Sequence, residues 1–221
     1  MRAYVLGNAA LDETFAVDAL PEAGASVLAR ALSTVLGGKG ANQAVVLARA
    51  GLPVTLVAPV GRDARGAALR GRLAGEGLAG GLVAVEAATD LSLILAAEGG
   101  ENVVVTTHAA ADALPPGAAV AALAGAGPGD LLVVQGNLSE ATTEAALRQG
   151  RARGMATAAN PSPLRPYFAR LWPLIGTVFV NDGEAAALGG APALLARGVA
   201  RVVVTLGPRG ARLVAASGEE T

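Results

Sequence analysis

From Leu131 onward the chain alternates short apolar runs with helix-like segments, and this alternation constrains the fold more than any other feature. Leu131–Gln135, Ala156–Ala159, Thr177–Val180 and Arg201–Leu206 read as strands. Ser139–Arg153, Leu164–Leu174 (broken by Pro166 and Pro173), Asp182–Leu188 and Pro192–Arg197 read as helices between and after them. Strands alternating with helices favour a parallel sheet with helices on both faces, because each parallel pairing needs a crossover. Gly207–Gly210 then turns the chain into a further apolar stretch, Ala211–Ala215.

The first half carries the same signal less regularly. Ala3–Leu6 and Thr55–Val60 read as buried strands. A helix runs to Ala50 and stops at Gly51-Leu52-Pro53, and an Arg-rich helix covers roughly 66–76. Phe15–Val17 and Ser26–Ala29 flank a turn at Pro21–Gly24 and read as a small exposed sheet. Val83–Ala88, Ser92–Ala96 and Val103–Thr106 are further strand candidates, with a hairpin turn at Glu98–Glu101.

Composition narrows the function. Hydrophobic residues make up 52% of the 221 residues and charged residues 16%, against about a quarter in an average domain, so a large core is within reach. The formal net charge of −1 and the lack of a basic stripe give no support to nucleic-acid binding. There is no cysteine, which excludes disulfides, thiolate metal sites and cysteine nucleophiles and fits a cytoplasmic protein. No apolar run is long enough to span a membrane, and the N-terminus runs into a strand without a signal-peptide pattern.

The chain uses lysine once, at Lys39, and the other basic residues are arginines. Lys39 sits between glycines, in Gly37-Gly38-Lys39-Gly40-Ala41-Asn42-Gln43-Ala44, where a helix opens. Lysine is a compact point charge and arginine a planar fork, so the single choice is informative. Glycines let a ligand approach the backbone, and the free N–H groups of the opening helix face the same place. A Walker A loop would need an earlier glycine and a Ser or Thr after the lysine, and no dinucleotide fingerprint opens the chain.

Ligands of open α/β sheets bind at the carboxyl ends of the strands. Those ends carry Asp12, then Gln135-Gly136-Asn137, Asn160-Pro161-Ser162-Pro163, Asn181 with Glu184, and Thr205-Leu206-Gly207 with Gly210. Polar residues from several strands thus converge on one rim. Each piece also has a plainer reading: Asn181 to Glu184 spells a capping box, Thr205–Gly210 a hairpin turn, and Asp12 a solvated loop carboxylate.

The glycine–lysine run, Asn160-Pro161-Ser162-Pro163, Asn181-x-x-Glu184 and Thr205-Leu206-Gly207-x-x-Gly210 resemble, in the same order, segments of the ribokinase-like (PfkB) carbohydrate kinases, over the whole chain. The resemblance implies a three-layer α/β/α sandwich with a mainly parallel sheet. It also implies a small β-sheet lid from strands at about 13–35 and 87–107 inserted in one domain over 1–221. It implies ATP-dependent phosphorylation of a sugar hydroxymethyl group, ribose to ribose 5-phosphate first among the substrates. Adenosine, a fructose-type sugar or ketodeoxygluconate are the alternatives, and a non-catalytic sugar-binding module is another.

By this resemblance Asp12, Gly38, Lys39, Asn42 and Asn137 contact the sugar, and Asn181, Thr205, Gly207 and Gly210 the nucleotide. Glu184 orders Mg²⁺ through water, K⁺ or another monovalent cation is a further candidate, and the lid pairs two subunits into a homodimer. Ala10 stands where the family usually has a sugar-binding Asn, and Asn137 where it has a Glu. The family's second signature, Asp-Thr-x-Gly-Ala-Gly-Asp, would carry the general base. It is expected beyond Thr221, since Gly125–Asp130 matches it only superficially and precedes a strand. On that expectation the fold is C-terminally incomplete, with one face of the sheet uncovered and the chain nearly inactive by itself.

Overall fold

Apolar side chains on alternate positions of the central strands pack in opposite directions, and this sets the layers. The structure, a computed structural model, describes residues 1–220. The chain runs β1 (Ala3–Leu6), β2 (Ala10–Val17), β3 (Arg30–Gly37), α1 (Lys39–Arg49), β4 (Val54–Val60), α2 (Ala64–Leu73) and β5 (Ala79–Ala84). It continues with β6 (Leu91–Ala97), β7 (Asn102–Thr106), α3 (Ala109–Asp112), α4 (Pro116–Ala122), β8 (Leu131–Gln135), α5 (Glu140–Ala152), β9 (Ala156–Asn160) and α6 (Phe168–Leu171). It ends with β10 (Thr177–Asn181), α7 (Asp182–Ala187), α8 (Gly190–Ala196), β11 (Arg201–Thr205), β12 (Ala211–Ala215) and β13 (Gly218–Glu220).

Among the described residues two sheets form. The larger has the order β13-β12-β11-β10-β9-β8-β1-β4-β5 and is parallel from β11 to β5, with antiparallel β12 and β13 at one edge. The smaller has the order β3-β2-β6-β7, with β2 and β6 parallel and the outer pairs antiparallel. The architecture is the mainly parallel α/β sheet with a small second sheet that the sequence pattern favours.

On one face of the large sheet Tyr4, Leu6, Leu132 and Val134 pack with Leu123, Leu147, Phe168, Trp172 and Leu194 from the helices α3 to α8 and their connections. Phe168 stacks between Tyr167 and Trp172, with ring centroids 4.8 and 5.4 Å apart. On the other face Ala3, Val5, Leu56 and Ala58 pack against Ala41, Ala44 and Val45 of α1 and Leu69 and Leu73 of α2. These two helices leave the neighbouring part of this face open. Leu131, Val133, Ala158 and Phe179 line a groove of about 460 Å³ there, bordered by Asn42, Gln43 and Val46 of α1. Phe179 is 42% exposed and Val46 66%. No helix of the described residues is long and apolar enough to cross a membrane.

Several segment boundaries differ from the sequence reading. Ser26–Ala29 is irregular, and the strand lies beyond it at Arg30–Gly37, on a sheet edge with most of its residues exposed. Val83–Ala88 moves back to Ala79–Ala84, where Gly80 and Gly81 conceal the strand. The Arg-rich helix starts earlier, because Asp63 accepts a hydrogen bond from Gly66 N and caps it at Ala64. The segment Leu164–Leu174 is helical only over Phe168–Leu171, followed by a 3-10 turn at Trp172–Leu174. Helices α3 and α4 were not anticipated, because alanine-rich turns without an apolar period give no signal.

Candidate functional site

The parallel strands end level with one another. Leu6 pairs with Val134, Gln135 with Asn160, and Asn181 with Thr205. Adjacent strands lie about 4.8 Å apart, so the rim from Thr205 to Gly7 spans about 19 Å and carries the polar residues singled out from the sequence.

At one end of the rim stands the lysine turn. Gly38, at φ 88, precedes α1. A side chain there would be strained by the backbone and would also come within 2.8 Å of the Ala9 Cα and the Asn8 carbonyl. Gly40 packs at van der Waals contact on Gly7 and Asn8, where a Cβ would lie 2.7 Å from the Gly7 Cα. The turn is tied down by Asn8, whose Oδ1 accepts from Gly40 N at 3.3 Å and whose carbonyl accepts from Ala41 N at 3.0 Å. Lys39 and Asn42 are exposed beside it. Asp12 enters from β2, against Gly37. Asn137 lies two residues past β8 and is 8% exposed.

Asp12 Oδ1, Asn137 Oδ1 and Gln135 Oε1 are buried and have no hydrogen-bond partner. A buried acceptor left unpaired costs about 1–3 kcal/mol, so such atoms mark places where donors are expected. Gln135 is wholly buried, and its Nε2 donates to Gln43 Oε1 at 2.7 Å. Gln135 is one of the polar strand ends on the rim read from the sequence, which assigns it no role, and Gln43, four positions after Lys39, enters that reading only as part of the lysine turn.

At the other end of the rim lie Asn181, Glu184 and the turn after β11. Asn181 and Glu184 form the capping box of α7: Asn181 Oδ1 accepts from Glu184 N at 2.8 Å, and Glu184 Oε2 accepts from Asn181 N at 3.0 Å. The plainer reading is therefore realised, and it leaves the second carboxylate oxygen of Glu184 uncommitted by the cap. Thr205 is exposed at the strand end, and Gly207 and Gly210 adopt φ 59 and 87 in a turn closed by Leu206 N donating to Gly210 O at 2.8 Å. Arg209 reaches Asp182 at 3.5 Å and links this turn to α7. No group of three or more metal-ligating acids, histidines or cysteines occurs among the described residues. Glu184 alone suits Mg²⁺ held by one carboxylate together with phosphates and water. The expected general base lies outside the described residues.

The fold and rim define a class of protein, and sequence comparison agrees with it. A family model described as pfkB family carbohydrate kinase matches residues 2–221, and the chain belongs to that family. The chain is 32% identical to the ribokinase of Bacillus subtilis (strain 168) over 222 residues, covering 97% of this chain and 75% of that one. It is 26% identical to the ribokinase of Haemophilus influenzae, covering 93% and 72%. The solved ribokinase from Cryptococcus neoformans var. grubii serotype A in complex with ADP superposes with a TM-score of 0.81 at 27% identity, covering 99% of this chain and 77% of that chain. The ribokinase from Thermotoga maritima has the same fold, with a TM-score of 0.87 at 23% identity, covering 100% and 76%.

Proposed function

We propose that this carbohydrate kinase chain holds ribose at the lysine turn and MgATP at the Thr205 turn, for transfer of the γ-phosphoryl group to the sugar hydroxymethyl. The observation that carries the reading is the pair of unpartnered buried acceptors, Asp12 Oδ1 against Gly37 of the lysine turn and Asn137 Oδ1 just past the end of β8. Sugar hydroxyls are the donors such atoms lack. Asp12, Gly38, Lys39, Asn42 and Asn137 make up the sugar site. Asn181, Thr205, Gly207 and Gly210 flank the nucleotide, and Glu184 stands by its metal. Mg²⁺, when bound, would neutralise phosphate charge. The 32% identity to a ribokinase supports ribose ahead of other sugars, and a relative's complex with ADP supports the nucleotide. A monovalent cation remains part of the reading on resemblance alone.

The smaller sheet serves as the lid in this reading. Its edge strand β7 exposes Val103, Val104 and Val105, which favours a homodimer joined through that sheet, and the lack of cysteine fits a cytoplasmic setting.

Binding tests the reading. Calorimetric titration should give a saturable signal with ribose that weakens at least about tenfold in Lys39→Ala and in Asp12→Ala, the loss of one charge-assisted hydrogen bond. Tighter binding of adenosine, fructose or ketodeoxygluconate than ribose would move the substrate. No sugar binding, or binding indifferent to both substitutions, would overturn the site.

A further inference from the structure

The small sheet meets the body where four stretches of chain cross between them: Gly7–Ala9, Gly37–Gly38, Thr89–Asp90 and Thr107–His108. The first two are held by the Asn8 contacts described above. The other two are held by a pair of aspartates that the proposed reaction does not use.

Asp63, just past β4, takes Thr89 in a fork. Its Oδ2 accepts from Thr89 N at 2.8 Å and its Oδ1 from Thr89 Oγ1 at 2.6 Å, while Oδ1 also caps α2 through Gly66 N at 2.8 Å. The Thr89 hydroxyl oxygen in turn accepts from Gly61 N at 2.9 Å. The next residue, Asp90, is 1% exposed. Its carboxylate accepts from Thr107 Oγ1 and Ala110 N at 3.2 Å and from Ala111 N at 2.8 Å. One side chain therefore holds both the entry and the exit of the β6–β7 hairpin. The Asp90 carbonyl accepts from Leu11 N at 3.3 Å, which places the anchor one residue from Asp12.

A carboxylate is costly to bury, and a four-residue helix start does not require one. A charged acceptor binding three donors from two segments makes a strong and directional joint. We infer that Asp90 is a positioning residue for sugar binding: with Asp63 it fastens the small sheet to the body and so holds Asp12 at the rim. The inference rests on the reading of Asp12 as a sugar ligand.

Two measurements on the chain separate the inference from that reading. Hydrogen exchange in Asp90→Asn and Asp90→Ala should be faster than in the parent by about tenfold or more at Leu11, over Leu91–Ala97 and over Asn102–Thr106, and unchanged over β8 to β11. The ribose Kd should rise by about tenfold while the ADP Kd stays the same. Asp63→Asn, a milder change, should move both readouts in the same direction, and it serves if Asp90→Ala does not fold. Unaltered exchange in the small sheet, or equal weakening of ribose and ADP, would overturn the positioning role. If the parent chain binds no sugar, the Asp12 reading and the positioning role fall together, and the exchange data then decide the joint by itself.

Discussion

Gln135 and Gln43 meet at 2.7 Å, so that the end of a central strand holds the helix carrying Lys39 and Asn42. The two side chains come from positions 92 residues apart. Gln43→Leu leaves the buried Gln135 amide without its acceptor and should lower stability by about 1–3 kcal/mol. Removing both partners together, in Gln43→Leu/Gln135→Leu, should recover most of that loss. Urea unfolding of the double-mutant cycle measures the coupling, and additive losses would contradict it.

Two glycine substitutions should act with opposite signs. Gly40→Ala forces a Cβ to 2.7 Å from the Gly7 Cα and 2.8 Å from the Asn8 backbone. It should cost about 1–3 kcal/mol, as overpacking does, and reduce sugar affinity by separating the lysine turn from Asn8. Gly71→Ala lies in α2 with nothing within 4 Å of the added methyl. It should stabilise by about 0.5–1 kcal/mol with ribose affinity unchanged. Thermal unfolding read beside titration checks both.

Asp63 and Asp90 should give stability opposite dependences on pH. The Thr89 hydroxyl, followed by the Thr89 and Gly66 N–H groups, lowers Asp63 from 3.8 to about 2. Its contribution is present above pH 3.8 and is lost as the pH falls toward 2. Burial raises Asp90, with the N–H groups of Ala111 and Ala110, the Thr107 hydroxyl and nearby His108 pulling the other way. Its titration therefore subtracts stability as the pH rises from the ordinary aspartate value through its raised value, while the carboxylate keeps its hydrogen bonds from Thr107, Ala110 and Ala111. The stability deficit of Asp63→Asn should therefore shrink between pH 3.8 and 2, whereas Asp90→Asn should gain on the parent as the pH rises from acid. Urea midpoints across pH 2–7 test both slopes.

Glu184 invites a separation of structure from function. Glu184→Gln keeps an oxygen for the Asn181 N–H, so the capping box and Tm should hold. If Glu184 serves the metal, the affinity for MgATP should fall while that for ATP without Mg²⁺ stays level. Asn181→Ala removes the cap itself and should cost about 0.5–2 kcal/mol. Unchanged affinity for MgATP in Glu184→Gln would leave the residue only its helix to serve.

The strands most legible in the sequence were short apolar runs closed by polar or glycine ends, whether buried, as in Ala3–Leu6, or exposed, as in Val103–Thr106. Leu131–Gln135 matched to the residue because a short apolar run bounded by polar ends has few other readings. Arg30–Gly37 and Ala79–Ala84 escaped because edge strands need no apolar period, and exposure or glycine erased it. The lysine turn stood out through its single lysine and its glycines. The Asp63–Thr89 fork could not be read, since 26 residues separate its partners and only the pairing of the sheets brings them together.

The strand order has a consequence for how the protein comes to exist. From β8 to β13 each strand pairs with the next in sequence, so the half bearing the Thr205 turn can be assembled from near neighbours. The lysine half cannot, because β1 must find β8 across a separation of about 128 residues, the span between Arg2 and Asp130, which bond at the start of that pairing. Loop closure over that span is slow compared with local pairing. On refolding of the whole chain, a nucleotide platform should therefore stand before any pocket for a sugar has closed.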